Sequence, residues 1–512
     1  MTDRRSHRLG RTNDWTMGRS NMFRALKRLG VLYVISLIAA CAATAPRAPV
    51  SEIAFETAPT RLEVNGVGAI DGVEYTLGVP ENRNDPGSKT IDLRFVVLPA
   101  LAPSGAAPVV YLAGGPGGSA TGTARGPRWP LFDALRQTRD VVLLDQRGTG
   151  RSQTPPICES GVGWGPGDVG DRATFISKHR EAFAACQTFW AEAGVDIRGY
   201  TTAESAADIA DVSRALGTPV ALLGISYGTH LALATLSAHP GRVTRAVLVS
   251  VEGLDQTVKL PERTDAYFAR LQKALDHGLW SEARPGGRDL AEALRSALDR
   301  IDRERPVIDM YFGGNAPPAQ RTLGAFAVQR AISYSVSDPD RAGQVASAIF
   351  AMAADTPDDR FMAYFGFLMP EVIELQAMPT MMDLASGIST ERAAQVAQQA
   401  QGALLADAPN FPMPHLDDLD APYRLPDPFR QGPMGDTPVL VFSGTLDGRT
   451  YPEAALEATQ GLSQRTVIKV ENGGHNLFFD HPDIVPTLIA FLDGQTVSGA
   501  TLTADLPKDP AP

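Results

Sequence analysis

The pentapeptide GISYG at 224–228 constrains the fold of this chain more than any other segment. It directly follows the apolar run 220–223 and precedes the helical pattern 229–238, so it predicts a tight turn between a buried strand and a helix. So tight a turn leaves no room for side chains at its flanks, which accounts for the two glycines. It would lift the Ser226 hydroxyl clear of the sheet and place it at a helix N-terminus, where the helix dipole favours developing negative charge. Ser226 is therefore the candidate nucleophile.

Short, continuous apolar runs recur in the first half of the chain and alternate with helical patterns. Such runs are typical of strands that are buried on both faces of a parallel sheet. Strand–helix alternation predicts a doubly wound, mostly parallel α/β sheet. An antiparallel hairpin of alternating strands at 73–79 and 91–97 comes first. The continuous runs are 109–112, 141–144, 220–223 and 246–249.

The strand pattern stops near residue 254 and resumes with the apolar runs 439–442 and 467–470. Amphipathic helical patterns fill the interval, which predicts a large helical cap inserted into one α/β domain. The predicted parts are a first core part at 61–253, the cap at 254–432, a second core part at 433–496 and a polar tail at 497–512.

A serine hydroxyl is a weak nucleophile without a neighbouring base. In a fold of this type the nucleophile is followed along the chain by an acid and then by a histidine, each after a late strand. Asp447 follows the run that ends at 442, and His475 follows the run that ends at 470. His481 precedes a proline at a helix start and is interpreted as a capping residue, and His230 as a core residue. The predicted catalytic residues are Ser226, Asp447 and His475.

A glycine-rich loop, AGGPGGS at 113–119, follows the first continuous apolar run. Glycines let bare backbone N–H groups approach a reacting carbonyl closely. We expect an oxyanion hole formed by the N–H of Tyr227 and that of Gly115, with Gly114 as the alternative. A phosphate-binding loop is excluded because no GK[ST] follows.

The N-terminal segment 1–40 holds eight Lys/Arg and two Asp, and its apolar run 31–40 is too short to span a bilayer. Ile38-Ala39-Ala40-Cys41 then looks like a bacterial lipoprotein signal, with lipid on Cys41 and a tether at 41–60. We therefore expect a protein that is lipid-anchored on the periplasmic face of a bacterial membrane. A plain signal peptide, giving a soluble periplasmic or secreted protein, is the alternative, and translation could begin at Met17 or Met22.

The remaining 472 residues carry 39 basic and 56 acidic side chains, a net charge of −17. A globular part this acidic offers no electrostatic surface for nucleic acid and repels anionic lipid. The lipid anchor is then the only membrane contact that we expect. Metal clusters are not expected either, because the histidines are scattered.

Two cysteines remain after Cys41, namely Cys158 and Cys186, which lie 28 residues apart. In an oxidising compartment such a pair is a candidate disulfide. Two unrelated buried thiols are the alternative.

Five motifs occur in one order: GGPGG at 114–118, DQRGTGRS at 145–152, GISYG, GTLDGRT at 444–450 and GGH at 473–475. Together they resemble the prolyl iminopeptidase and tripeptidyl aminopeptidase family of serine peptidases, in its secreted branch. The resemblance implies an α/β-hydrolase fold and the removal of residues from a free peptide N-terminus, without a metal or organic cofactor. It also suggests that Arg147 braces the glycine loop.

An aminopeptidase needs a fixed anion near its nucleophile to hold the substrate ammonium group. Glu252 stands two residues beyond the strand that ends at Ser250 and is the first candidate, with Glu371 and Glu374 as further candidates. A structural salt bridge is the alternative role for Glu252. A carboxylesterase with the same triad is the alternative function, and a non-catalytic binding protein is a third.

Overall fold

The structure is a computed structural model that describes residues 54–280, 287–310, 318–354, 371–416, 419 and 422–508. The predicted signal segment, the lipidation site Cys41 and the start of the tether lie outside these residues. Within the described ranges, no helix combines the length and apolar character needed to cross a membrane.

One large sheet contains ten of the strands in the described part of the chain, and two small two-stranded sheets contain the others. The large sheet has the order β1-β2-β3-β5-β4-β7-β8-β12-β13-β14. Its first four strands are joined by antiparallel pairings and the remaining neighbours by parallel pairings. The strands are β1 Phe55–Val64, β2 Gly68–Pro80, β3 Thr90–Leu98, β4 Val109–Leu112, β5 Val141–Asp145, β6 Cys158–Gly163, β7 Val220–Ser226, β8 Val243–Val251, β9 Val307–Met310, β10 Ala319–Thr322, β11 Val372–Leu375, β12 Val439–Gly444, β13 Arg465–Glu471 and β14 Ala500–Thr503.

The helices follow the predicted alternation with the strands in the first and last parts of the chain and dominate the interval between β8 and β12. They are α1 Ala120–Ala124, α2 Trp129–Leu135, α3 Arg172–Glu192, α4 Thr202–Ala215, α5 Tyr227–Ala238, α6 Pro261–Asp276, α7 Leu290–Glu304, α8 Ala325–Ser335, α9 Pro339–Ala353, α10 Ala377–Ser386, α11 Thr390–Gln399, α12 Pro452–Ala458 and α13 Ile484–Leu492.

Both faces of the large sheet are covered, as the continuous apolar runs predict. Alternate residues of β4 enter different clusters of buried side chains, with Val110 and Leu112 in one cluster and Val109 and Tyr111 in the other. Helices α3, α4 and α5 contribute to the first cluster, and α2 and α13 to the second. The prediction of a doubly wound, mostly parallel α/β sheet is confirmed.

The segment between β8 and β12 supplies most of a third buried cluster, to which α6, α7, α8 and α9 contribute. Trp164 and Phe175 of the first core part and Leu446 of the second also belong to this cluster. The segment is not purely helical, because β9 pairs with β10 and β11 pairs with β6 of the first core part. Helix α10 also packs Met378, Met381 and Met382 into a cluster of the large sheet. An amphipathic pattern identifies an apolar face but does not specify the surface against which that face packs, so the sequence did not reveal these contacts.

Two boundaries of the predicted parts need correction. Residues 55–60 of the predicted tether lie in β1, which pairs with β2 over ten residues, and residues 500–503 of the predicted polar tail form β14 beside β13. Both strands are largely exposed. They pair through backbone groups, so their sequences lack the apolar alternation by which strands are recognised.

A disulfide joins Cys158 in β6 to Cys186 in α3, which confirms the predicted pairing. Both residues are buried. The bond ties the strand that pairs with β11 to the long helix that follows it.

Candidate active site

Ser226 is the last residue of β7, and α5 begins at Tyr227. Its backbone has a φ of 55° and a ψ of −128°, a conformation that non-glycine residues rarely adopt and that clusters at functional sites. A Cβ atom on Gly224 would lie 2.5 Å from the carbonyl oxygen of Gly228, and one on Gly228 would lie 2.0 Å from that of Leu112. Only glycine fits at these two positions, for the steric reason that the motif predicts.

His475 and Asp447 are hydrogen-bonded, with 2.9 Å between His475 Nδ1 and Asp447 Oδ2. Asp447 is fully buried and also accepts hydrogen bonds from the backbone N–H groups of Arg449 and Thr450 at 2.7 and 2.8 Å and from the Thr450 hydroxyl at 2.6 Å. Burial raises the pKa of Asp447, but the His475 imidazole and the Thr450 donors outweigh it and hold this pKa below its ordinary value. Asp447 is therefore an anion that orients the imidazole.

Ser226 and His475 line one cavity of about 390 Å³ together with Gly114, Gly115 and Glu252. Among the described residues, no hydrogen bond joins the Ser226 hydroxyl to the His475 imidazole. Such bonds often form fully only when substrate binds. The cavity brings the predicted nucleophile, the predicted base and both candidate oxyanion glycines to one surface.

The glycine loop packs directly against the turn at Ser226. A Cβ atom on Gly114 would lie 2.9 Å from the Ile225 carbonyl oxygen and 3.0 Å from Ser226 Cβ, and Gly115 has a φ of +128°. Tyr227 is the first residue of α5, so its N–H has no acceptor within the helix. Gly114 and Gly115 both remain candidates for the second N–H of an oxyanion hole.

Asp145, at the end of β5, braces the glycine loop. Its Oδ1 accepts from the Ser119 hydroxyl at 2.9 Å and from the Thr121 N–H at 3.1 Å, and its Oδ2 accepts from the Arg151 N–H at 2.9 Å. The expectation that Arg147 does this is wrong. The Arg147 side chain is buried against Asp208, with 2.7 Å between the guanidinium and each carboxylate oxygen. A long side chain can leave its loop in several directions, and the sequence does not specify which.

Residues 333–338, from the last turn of α8 to the residue before α9, contact two loops. These are the acid loop 445–450, which carries Asp447, and the base loop 472–476, which carries His475. We call residues 333–338 the clamp segment. Asp338 Oδ1 accepts from the backbone N–H groups of His475 and Asn476, each at 2.9 Å. The Val336 carbonyl accepts from the Gly448 N–H at 3.0 Å. These contacts could not be predicted, since nothing in the local sequence pattern of 333–338 indicates a functional site.

Two further contacts hold the base loop, one from β8 and one from Asp480. Ser250, whose φ is 55°, donates its hydroxyl hydrogen bond to the His475 carbonyl at 2.8 Å. Asp480 accepts from the Gly474 N–H at 2.7 Å, and burial raises its pKa to about 6. His475 is thus fixed through its backbone as well as through Asp447.

Glu252 is buried and lies in the cavity, as predicted. Its Oε2 is 3.9 Å from Lys259 Nζ, whereas its Oε1 has no hydrogen-bond partner among the described residues. Burial lowers the pKa of Lys259. Burial and the Glu252 charge together raise the pKa of the neighbouring Asp383 to about 7. Glu252 is therefore half of an internal ion pair with one acceptor oxygen left over.

Glu371 and Glu374 do not reach the cavity, and their prediction as substrate-binding residues is wrong. Both are exposed, Glu371 directly before β11 and Glu374 within it. Because β11 pairs with β6, it holds their side chains at the surface.

The other candidate histidines have structural surroundings. His230 lies between the Gly253 carbonyl and the Ser386 hydroxyl, each at 3.0 Å, and burial lowers its pKa. His481 Nδ1 accepts from the Asp483 N–H at 3.2 Å. Across the described ranges, no group of three or more His, Cys, Asp or Glu side chains could hold a metal ion.

Residues 107–330 match the family model described as the alpha/beta hydrolase fold. The sheet order and the strand–turn–helix at Ser226 agree with this match. The chain has the α/β-hydrolase fold. Among curated protein sequences, no relative matches it.

Solved structures that resemble this hydrolase-fold chain are distant. The enzyme MGS-M2 from a Medee basin deep-sea metagenome library is 13% identical, with a TM-score of 0.35 over 80% of this chain and 96% of that one. An epoxide hydrolase from an endophytic Streptomyces is 16% identical, with a TM-score of 0.36 over 84% and 98%. The esterase EaEST from Exiguobacterium antarcticum is 13% identical, with a TM-score of 0.32 over 81% and 98%. Nothing about the substrate follows from similarity this distant.

Proposed function

We propose that this protein is a serine hydrolase in which Ser226 is the nucleophile, His475 the general base and Asp447 the residue that orients His475. The observation that carries the proposal is the convergence on one cavity of a strained serine, a glycine loop and a histidine bonded to a buried carboxylate. This combination suits acyl transfer.

In the proposed reaction, His475 takes the proton of the Ser226 hydroxyl as the oxygen attacks the substrate carbonyl. The resulting oxyanion accepts hydrogen bonds from the Tyr227 N–H and from Gly115 or Gly114. His475 then gives its proton to the leaving group, which departs and leaves an acyl group on Ser226. Water, activated by the same histidine, releases the acyl group and restores the serine.

The substrate class that we propose is short peptides, from which the enzyme releases N-terminal residues. Two observations support it. One is the motif resemblance to aminopeptidases. The other is Glu252 Oε1, which has no hydrogen-bond partner in the part of the chain that the structure describes and can accept a hydrogen bond from a substrate ammonium group. Carboxylester hydrolysis is the second candidate. The Lys259 ammonium group beside Glu252 favours it, because that group already neutralises much of the charge an aminopeptidase would use.

A substrate panel tests the function. The purified protein is assayed against aminoacyl-, dipeptidyl- and tripeptidyl-coumarins alongside short-chain esters, with Ser226→Ala as the control. We expect turnover of free-amine peptide substrates that Ser226→Ala abolishes. Turnover of esters alone would support the esterase instead, and activity that survives in Ser226→Ala would contradict both candidates.

We also propose that the chain is exported and anchored by lipid at Cys41, on the basis of the sequence pattern 31–41. The Cys41→Ser variant should then be released from the membrane fraction. Wild-type protein that is soluble and carries an unmodified N-terminus would contradict the anchor.

A further inference from the structure

The charged lining of the catalytic cavity is mostly positive. Its described lining includes Arg128, Lys259 and Arg449 but only one carboxylate, that of Glu252. The Lys259 ammonium group pairs with this carboxylate at 3.9 Å. The guanidinium groups of Arg128 and Arg449 therefore have no carboxylate partner in the described lining of the cavity that contains the candidate nucleophile.

Arg128 has only neutral partners among the described residues. Its Nη1 donates to the Tyr111 hydroxyl at 2.6 Å and its Nη2 to Asn476 Oδ1 at 2.5 Å. Its guanidinium also lies over the Phe478 ring, 5.3 Å from the centroid. These contacts fix the direction of the side chain but do not neutralise its charge.

Arg449 is held in the same way. Its Nη1 donates to the Ser333 carbonyl at 3.0 Å, and its guanidinium lies 5.4 Å from the centroid of the Tyr334 ring. Tyr334 also lines the cavity and is 40% exposed. Within the described part of the chain, Arg449 has no carboxylate within ion-pair distance.

Arg128 and Arg449 are half-buried. A guanidinium group with no carboxylate partner, held in a fixed direction on the wall of a cavity, attracts an anion more strongly than a freely moving, fully solvated one. The planar fork of an arginine matches a carboxylate in particular. The site therefore favours a substrate that brings its own carboxylate.

The positions of the two arginines indicate which part of the substrate carries this group. Arg128 is bonded to Asn476, the residue after His475, and Arg449 lies two residues after Asp447. His475 must reach the leaving group to protonate it, so the leaving group lies on the side of the nucleophile where His475 and the two arginines are found.

We propose that the cavity selects substrates whose leaving group bears a carboxylate, which Arg128 and Arg449 bind. This inference rests on the proposed serine hydrolase. For peptides, it means a short substrate with a free C-terminus, recognised at both ends. A C-terminal amide would lose the contact with the arginines.

Two matched substrate pairs test the proposal without depending on peptide preference. The peptide pair is one tripeptide with a free C-terminal carboxylate and the same tripeptide amidated. The ester pair is 3-acetoxybenzoate and 3-acetoxybenzamide, each rate being divided by the rate of its hydroxide-catalysed hydrolysis. The measured quantity is the ratio of kcat/KM for the carboxylate substrate to kcat/KM for its neutral partner.

We expect a ratio of at least tenfold in the wild-type enzyme for every pair that is turned over, falling to about threefold or less in Arg128→Gln or Arg449→Gln. Arg245→Gln is the matched control, because Arg245 also lies over a ring, that of Phe491, and bonds a backbone carbonyl. The control should keep the wild-type ratio.

A wild-type ratio near one with normal turnover of the neutral substrates would overturn the carboxylate proposal and leave the serine hydrolase intact. So would a high ratio that both arginine variants retain. Failure to turn over any of the four substrates, together with no reaction of Ser226 with a fluorophosphonate, would overturn both.

Discussion

The two halves of the candidate triad are held in different ways. Ser226 is fixed by the sheet itself, through the turn between β7 and α5 and the close approach of β4. His475 and Asp447 stand on loops that the clamp segment 333–338 contacts from the inserted region. The nucleophile is positioned by the turn in which it lies, whereas the loops of the acid and the base are also held by contacts with the inserted region.

This difference predicts which substitutions reduce both stability and activity and which reduce activity alone. A change at the turn around Ser226 acts on the packing of the central strands, so it should reduce stability and activity together. A change in the clamp segment acts on loops at the edge of the sheet, so it should reduce activity while the sheet remains folded.

The largest effect that we expect is that of Asp447→Asn. An asparagine can keep the hydrogen bonds from the backbone N–H groups of Arg449 and Thr450. It cannot stabilise a charged imidazole, and in related triads this change lowers kcat by about ten thousand-fold. Steady-state kinetics should show this loss, with a melting temperature close to that of the wild type. A loss below about tenfold would remove Asp447 from the triad.

The second effect concerns the turn between β7 and α5. Gly228→Ala places a methyl group where only 2.0 Å separates it from the Leu112 carbonyl oxygen. We expect the free energy of unfolding to fall by about 3 kcal/mol or more, measured by urea denaturation. Gly241→Ala is the control, because its added Cβ would meet no atom within 4 Å and should cost less than about 0.5 kcal/mol. Equal stability of the two variants would show that the turn is not under this constraint.

The third effect concerns the clamp segment. Asp338→Ala removes an acceptor that the backbone N–H groups of His475 and Asn476 share, although the His475 N–H keeps its bond to the Ser337 carbonyl. We expect kcat to fall about tenfold to a hundredfold, with little change in KM or in the melting temperature. Asp338→Asn, which retains an acceptor oxygen, should recover most of the activity.

Asp340→Ala is the matched control for the clamp, because Asp340 lies two residues further on, in α9, and is exposed. It should behave as the wild type. If Asp338→Ala unfolds the protein, or if Asp338→Asn is as slow as Asp338→Ala, then the claim that the clamp segment affects activity without affecting stability is wrong.

The smallest effect concerns Glu252, which lies just beyond β8, where the sheet passes into the insertion. Glu252→Gln keeps the size of the side chain but removes the charge opposite Lys259. We expect kcat/KM for free-amine peptides to fall about tenfold while ester hydrolysis barely changes. Glu371→Gln, at the surface, is the control. Equal losses of kcat/KM on peptides and esters would show that Glu252 has only a structural role.

The same comparison explains what could be predicted from the sequence. The turn at Ser226 and the central strands are encoded locally, by two glycines and by continuous apolar runs, so both were recognised. Asp447 and His475 were located because each follows a late apolar run in the expected order. The edge strands β1 and β14 were missed, because their exposed side chains leave only backbone pairing to define them.

The supporting contacts could not be predicted, because they depend on where distant segments pack. Asp338 is 137 residues from His475 in the chain, and nothing in its neighbourhood indicates that contact. Asp145 and Arg147 belong to one motif, yet only the first braces the glycine loop. Glu371 is in a suitable part of the insertion by sequence, but the pairing of β11 with β6 leaves it at the surface.

The most direct test of the central claim is the site of covalent modification by a fluorophosphonate. The protein is treated with the reagent, digested and analysed by mass spectrometry. A single adduct on Ser226 is expected, absent from Ser226→Ala and formed far more slowly in Asp447→Asn. An adduct on another residue, or labelling of Ser226→Ala at the wild-type rate, would contradict the assignment of Ser226 as the nucleophile.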